Sequence, residues 1–261
     1  MRILLNGALG FMGREVVKLC DSGYRGAQLF AGVDPMADAT APENVYKSLE
    51  DIPSAEGIDC IIDFSHHTCV GALLDFAVAK GIPTVVATTG HTEEELSAIA
   101  SAAEKVAVFH SANMSLGIAL LVELARTAAL AMPEAEIEII EKHHDRKLDA
   151  PSGTALMLAE ELCSVRPDAY TNCGRAGQGK RTKEEIGIHA IRMGNIVGEH
   201  EVIIGTENQT VTLKHQAHSR ALFAEGAVAA AAFLADKGAG LYNMKSLVTG
   251  ESDKANNTIG V

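Results

Sequence analysis

Three glycines placed between an apolar run and an amphipathic segment constrain this chain more than any other feature. In "NGALGFMGREVV", Gly7, Gly10 and Gly13 separate the strand-like "RILLNG" from a helical stretch over residues 12–22. A strand-to-helix turn this tight needs residues without a Cβ, both for unusual backbone angles and for close approach of another backbone or a ligand. The amides at such a helix start attract an anion, and the spacing suits the pyrophosphate of a dinucleotide. The rest of the first half repeats the unit: "QLFAGVD", "CIIDFS", "PTVVATTG" and "VAVFHSAN" alternate with helical stretches over 68–80 and 92–104. This alternation predicts βαβ units and an α/β, Rossmann-like, doubly wound parallel sheet over residues 1–112.

The pattern then changes. "NMSLGIALLVELARTAALAM" reads as a long apolar helix ending before Pro133, and "EIEIIEKHH" as a strand. A helix over 153–163 precedes the polar, glycine-rich "GRAGQGKRTKEEIG", followed by three β-rich runs, "IGIHAIRMG", "GEHEVIIGT" and "QTVTLKHQA". With turns between them, these predict antiparallel strands and a second, α+β domain on an open mixed sheet over 113–220. The Ala-rich "ALFAEGAVAAAAFLADK" is expected to return to the first domain and complete it with the segment over about 221–261.

Composition narrows the function classes. The 261 residues carry a formal net charge of -12, which opposes non-specific binding to nucleic acid or to an anionic membrane while leaving room for a local cationic pocket. Five cysteines without a CxxC fit reduced thiols better than a disulfide scaffold or a zinc site. The N-terminus lacks a secretory pattern, and no run approaches the roughly 18 apolar residues of a membrane span, so a cytoplasmic protein is expected.

Two stretches carry chemistry beyond the glycine loop. Asp34 closes "AGVD", about 20 residues after the loop, where a carboxylate accepts bonds from an adenosine ribose. Pro35 and Met36 follow it, so no adjacent cation awaits a 2′-phosphate, and NADH is expected ahead of NADPH. The second stretch is "KHHDRKLDAPSGTAL", where His143, His144 and Lys147 precede a helix opening on Ser152, Gly153 and Thr154. A helix start offers unpaired amides and partial positive charge to an anion, and the hydroxyls add donors. Acid, base and anion donors converge there, as in a carboxylate-binding catalytic site.

Taken with "GALGFMGREV", "ATTGHT", "SANMSLG" and "MGNIVGEHEV", the block "HHDRKLDAPSGTA" resembles the 4-hydroxy-tetrahydrodipicolinate reductases (dihydrodipicolinate reductases) of the diaminopimelate route to lysine. The resemblance covers nearly the whole chain. It implies reduction of a cyclic imine dicarboxylate by NADH or NADPH, with His143 as general acid/base and Lys147 as proton donor. His144, Ser152, Gly153 and Thr154 would hold substrate carboxylates. Cofactor contacts would come from Gly7, Ala8, Leu9, Gly10, Phe11 and Met12, from Asp34, and from Phe64 and Ser65. Ala87, Thr88, Thr89, Ser111, Ala112, Asn113, Met114 and Arg220 would complete them. The family also implies a homotetramer built on the second domain's sheet. The chain departs from the family pattern at Ala87, where glycine is frequent, and at Pro35, where a basic residue is common.

Other features are set aside on physical grounds. "GRAGQGKR" has P-loop spacing through Lys180, but Arg181 stands where a magnesium-binding hydroxyl is needed. His66 and His67 lack a third ligand at metal spacing, so no metal is expected. The rival readings are another nicotinamide-dependent dehydrogenase of a small amino or imino dicarboxylate, and an NADH-binding redox sensor. The first does not need "HHDRK" before Ser-Gly-Thr; the second needs a DNA-binding module, and no basic helix is present.

Overall fold

The computed structural model describes residues 1–250. Its backbone separates into two compact units, Met1–Leu116 joined by the segment from Ala221, and Gly117–Arg220. Residues 251–261, the end of the segment expected to complete the first domain, lie outside the described residues.

The first unit opens with β1 (Arg2–Asn6), α1 (Phe11–Asp21), β2 (Gln28–Val33) and the short β3 (Val45–Tyr46). It continues through β4 (Cys60–Asp63), α2 (Val70–Lys80), β5 (Thr84–Val86), α3 (Glu93–Ala103) and β6 (Ala107–His110). Helix α1 buries Gly13, Val16 and Cys20, one helical face against the sheet. Helix α3 starts at a reciprocal cap: the Thr92 hydroxyl accepts from the Glu95 amide, and the Glu95 carboxylate accepts from the Thr92 amide at 2.8 Å.

The second unit holds most of α4 (Leu116–Ala131), then β7 (Glu136–His143), α5 (Gly153–Ser164) and β8 (Tyr170–Cys173). β9 (Glu185–Arg192), β10 (Gly198–Gly205) and β11 (Thr210–Ala217) complete its sheet, in the order β11-β10-β7-β9-β8. The last three strands do not form the antiparallel neighbours expected from sequence. β10 and β11 do pair that way, but β7 lies between β10 and β9, and β9 runs parallel to both β7 and β8. Parallel neighbours need long crossovers, which α5 and the glycine-rich loop after β8 supply. The core joins Ile118, Leu121 and Ala125 of α4 and Leu158 and Leu162 of α5 to Ile137, Ile139, Ile186, Ile188 and Val202 of the sheet.

The chain re-enters the first unit as α6 (Ala221–Leu234), β12 (Gly240–Tyr242) and α7 (Met244–Thr249). Strand β12 takes one edge of the first sheet, whose order is β12-β6-β5-β4-β1-β2-β3, all parallel. α6 is apolar all round because it lies against α1 and the strands β4, β5 and β6. Gly226 permits the approach, since a Cβ there would overlap the Met114 carbonyl.

Candidate active site

The glycine loop takes the form its spacing predicts. Gly7 has φ +82°, and a Cβ on Gly13 would collide with the Gly7 carbonyl. The loop amides divide into two groups. Those of Gly7 and Ala8 donate to the Val33 carbonyl at 2.8 and 3.2 Å, and that of Leu9 donates to Asp34 Oδ2 at 3.0 Å. Gly10 is the N-cap of α1 and supplies no side-chain cap, so Phe11 and Met12 open a helix whose first amides remain available to an anion. Asp34 is buried, and its Oδ1 accepts the Met36 amide at 3.0 Å. Each of its oxygens keeps acceptor capacity, as a ribose-binding carboxylate requires. These features fit a dinucleotide.

Beyond the loop, the ends of β4, β5 and β6 border a cavity of about 420 Å³. Met12, Phe64 and Ser65 line it with Ala87, Thr88 and Thr89, and Ala112 and Met114 contribute from the loop after β6. Ligands of open parallel sheets bind at this end of the strands. Ser111 and Asn113 do not line the cavity. The Ser111 hydroxyl donates to the Asn113 carbonyl at 3.0 Å, and Asn113 Oδ1 accepts the Ser115 amide at 2.9 Å, which turns the chain towards α4. Arg220 is exposed at the last position of the second unit.

Asp63 organises this crevice; the sequence placed "DFS" (Asp63 to Ser65) beside the nicotinamide side of it, without foreseeing the hydrogen bonds that Asp63 collects there. It is fully buried; its Oδ1 accepts from Asn6 Nδ2 at 2.8 Å and from the Ser65 hydroxyl at 2.6 Å, and its Oδ2 from the Thr88 hydroxyl at 2.8 Å. One carboxylate thereby fixes the turns after β4 and β5.

The second unit gathers the remaining predicted residues. His143 ends β7, and Met193 donates its amide to the His143 carbonyl at 3.0 Å. The His144 amide donates to the Ile196 carbonyl at 2.8 Å, and Arg146 Nη2 to Asn195 Oδ1 at 2.6 Å. The turn "MGNIVG" thus braces the loop that carries Lys147. Ser152 is buried as the N-cap of α5, its hydroxyl accepting from the Ala155 amide at 3.2 Å. Gly153 is exposed and Thr154 half-buried at the start of that helix. His144 Nδ1 is shielded from solvent and has no hydrogen-bond partner among the described residues.

Three further residues enter this site without having been expected there: Glu141, Arg192 and His200. Glu141 has no solvent exposure. Its Oε2 accepts from His143 Nδ1 at 2.6 Å, and Arg192 clasps both of its oxygens at 2.7 and 2.8 Å. His200 stands edge-on to His143 with centroids 5.2 Å apart, its Nε2 3.1 Å from the Ser152 hydroxyl. Burial, reinforced by neighbouring His143, takes His200 down to about 4, so it is neutral at pH 7. Burial also lowers His143, against the opposing pull of Glu141. A signal was present: Glu141 shares the inward face of β7 with Ile137 and Ile139, where a charge requires a partner.

The site therefore holds a histidine with one ring nitrogen committed to a carboxylate, a lysine in the adjoining loop and a helix start, an arrangement that can hold an anion and move a proton. Comparisons with known proteins identify the family. The family model described as "Dihydrodipicolinate reductase, N-terminus" matches residues 1–114, and "Dihydrodipicolinate reductase, C-terminus" matches 117–248. A 4-hydroxy-tetrahydrodipicolinate reductase of Caldanaerobacter subterraneus subsp. tengcongensis is 42% identical over 252 residues, covering 95% of this chain and 98% of the relative. One of Clostridium novyi is 39% identical over 249 residues, with 95% and 98% covered. Among solved structures, a dipicolinate-bound dihydrodipicolinate reductase from Paenisporosarcina sp. TG-14 aligns with a TM-score of 0.78 at 26% identity, covering 93% of this chain and 97% of that one. A diaminopimelate dehydrogenase of Corynebacterium glutamicum, at 14% identity and a TM-score of 0.57 with 97% and 96% covered, shares the fold alone. With both halves matched by its models and full-length relatives at this identity, the chain belongs to the dihydrodipicolinate reductase family.

Proposed function

We infer that the chain catalyses the NAD(P)H-dependent reduction of 4-hydroxy-tetrahydrodipicolinate to tetrahydrodipicolinate, the 4-hydroxyl leaving as water, a step towards diaminopimelate and lysine. The observation that carries the reading is the assembly, in a chain of this family, of His143, Lys147 and the Ser152-capped start of α5 within one unit.

The nicotinamide supplies a hydride when bound. In the first unit the opening of α1 at Phe11 and Met12 would hold the pyrophosphate and Asp34 the ribose, with the 420 Å³ cavity taking the nicotinamide end. Ser111, Asn113 and Arg220 are assigned to the cofactor by family resemblance. Pro35 and the absence of a cation beside Asp34 favour NADH over NADPH.

In the second unit, the amides and hydroxyl of Gly153 and Thr154, with His144, hold the substrate carboxylates at the positive end of α5. A cationic pocket also draws a dicarboxylate to a protein of net charge -12. Lys147 delivers the proton that neutralises the electron density left by hydride addition, and His143 acts as acid/base through its ring nitrogen. Work in the cytoplasm and assembly as a homotetramer through the second unit's sheet belong to the same reading. Ile191 and Val211, partly exposed on that sheet, support the assembly.

The test is NADH oxidation by the purified protein, with the substrate made in the cuvette from pyruvate and aspartate semialdehyde by its synthase. Rapid synthase-dependent oxidation is expected. No oxidation with either nucleotide, in a protein that binds nucleotide, would reject this substrate and favour another cyclic imine or amino dicarboxylate.

A further inference from the structure

Glu141 bears four hydrogen bonds, and their pattern goes beyond what an ion pair requires. Oε1 accepts the Ser152 amide at 3.0 Å and Arg192 Nη2 at 2.7 Å; Oε2 accepts His143 Nδ1 at 2.6 Å and Arg192 Nη1 at 2.8 Å. A carboxylate has about four lone-pair sites, and these donors fill them. Burial alone would raise this carboxyl, but Arg192, His143 and the Ser152 amide outweigh it and hold Glu141 below the ordinary glutamate range. Pairing with Arg192 alone would have satisfied a structural carboxylate. Half of its bonding capacity instead goes to the acid/base residue and to the start of the anion-binding helix.

An ionised carboxylate can only accept, so Nδ1 of His143 carries the hydrogen. In the neutral ring Nε2 is then the basic nitrogen. We propose that Glu141 is the positioning residue of the reaction. It fixes His143 as the Nδ1–H tautomer, so that proton transfer runs through Nε2, and through the Ser152 amide it sets that ring in register with the start of α5. Arg192 extends the same frame, donating from Nη2 to the Asp149 carbonyl at 2.6 Å in the loop that carries Lys147. The proposal rests on His143 being the acid/base assigned above.

The charged groups facing His143 are Glu141 on β7, Lys147 in the loop and Arg192 on β9, with His200 on β10 beside it. Of these, Glu141 is the group that favours the imidazolium.

The experiment combines histidine tautomer spectra of the ¹⁵N-labelled full-length protein with the kinetics of E141Q, E141D and H143N. In wild type at pH 8, His143, assigned by its absence from H143N, is expected as the Nδ1–H form. E141Q is expected to lower kcat about 10²–10³-fold while leaving the dissociation constant for NADH within twofold. The limb of the kcat/KM pH profile that H143N abolishes should move about one unit lower. E141D, which keeps the charge, should recover part of the rate. An Nε2–H form in wild type overturns the proposal, as does an E141Q profile identical to wild type while H143N is impaired. If E141Q and H143N both turn over at the wild-type rate, the assignment of His143 fails and the proposal with it. Should E141Q not fold, the wild-type spectrum and E141D still decide.

Discussion

Lys147 Nζ lies 2.8 Å from Asp149 Oδ1, across Leu148, whose side chain is fully exposed. Asp149 is itself more than half exposed, and pairing with Lys147 lowers its carboxyl pKa. A pair open to solvent on its Asp149 side is worth little, so Lys147 can leave Asp149 at small cost. We predict that Lys147→Ala lowers kcat about 10²–10⁴-fold, the range for loss of a general acid, without weakening NADH binding. Steady-state rates beside a fluorescence titration of NADH check this; wild-type turnover would remove Lys147 from the chemistry.

Gly198 opens β10 directly against the Nε2 edge of His143. A Cβ built there would meet His143 Nε2 at 3.1 Å and Cδ2 at 3.5 Å, so the ring would have to give way. Displacing an acid/base group by a fraction of an ångström is costly to the rate, and Gly198→Ala is expected to lose about 10–100-fold in kcat with little change in melting temperature. Unchanged kinetics would mean that Nε2 need not hold this position.

Pro35 is exposed beside the buried carboxylate of Asp34. An arginine there would offer a charged fork to a 2′-phosphate, worth about tenfold in NADPH affinity against the repulsion of Asp34. Pro35→Arg should therefore raise the ratio of kcat/KM for NADPH to that for NADH. A constant ratio would detach cofactor choice from this position.

Two histidines tie stability to pH. Burial lowers both His110 and His200 from the ordinary 6.5 to about 4. Between those values the unfolded chain binds protons that the folded chain refuses, so stability rises with pH across this window and falls on acidification through it. Each group accounts for about 3 kcal/mol between pH 7 and pH 4. Urea unfolding at a series of pH values should show this slope. His110→Phe should flatten it; the same slope in that variant would assign the acid sensitivity elsewhere.

The first unit was legible because its signals are local. A glycine loop, Asp34 at its set distance and apolar runs alternating with helices are each read within a few residues. The same holds for His143, Lys147 and the Ser-Gly-Thr helix start. Glu141, Arg192 and His200 were missed as a group because strand register brings them together: His143 sits opposite Arg192 on β9, and Glu141 opposite His200 on β10. No local pattern announces that β7 will lie between those two strands. β3, β8 and β12, two to four residues long at or near sheet edges, left too little periodicity to read.

The second unit is spliced into the first, and this orders events during synthesis. Gly117–Arg220 is one continuous stretch that can collapse as soon as it leaves the ribosome, around strands and helices it already owns. The dinucleotide-binding sheet cannot do so. Its α6, which covers α1 and three central strands, and its edge strand β12 are both translated after the inserted stretch is complete. The half of the protein made first is therefore finished last, and a chain released at Arg220 would lack the helix that lies against α1 and the strands β4, β5 and β6.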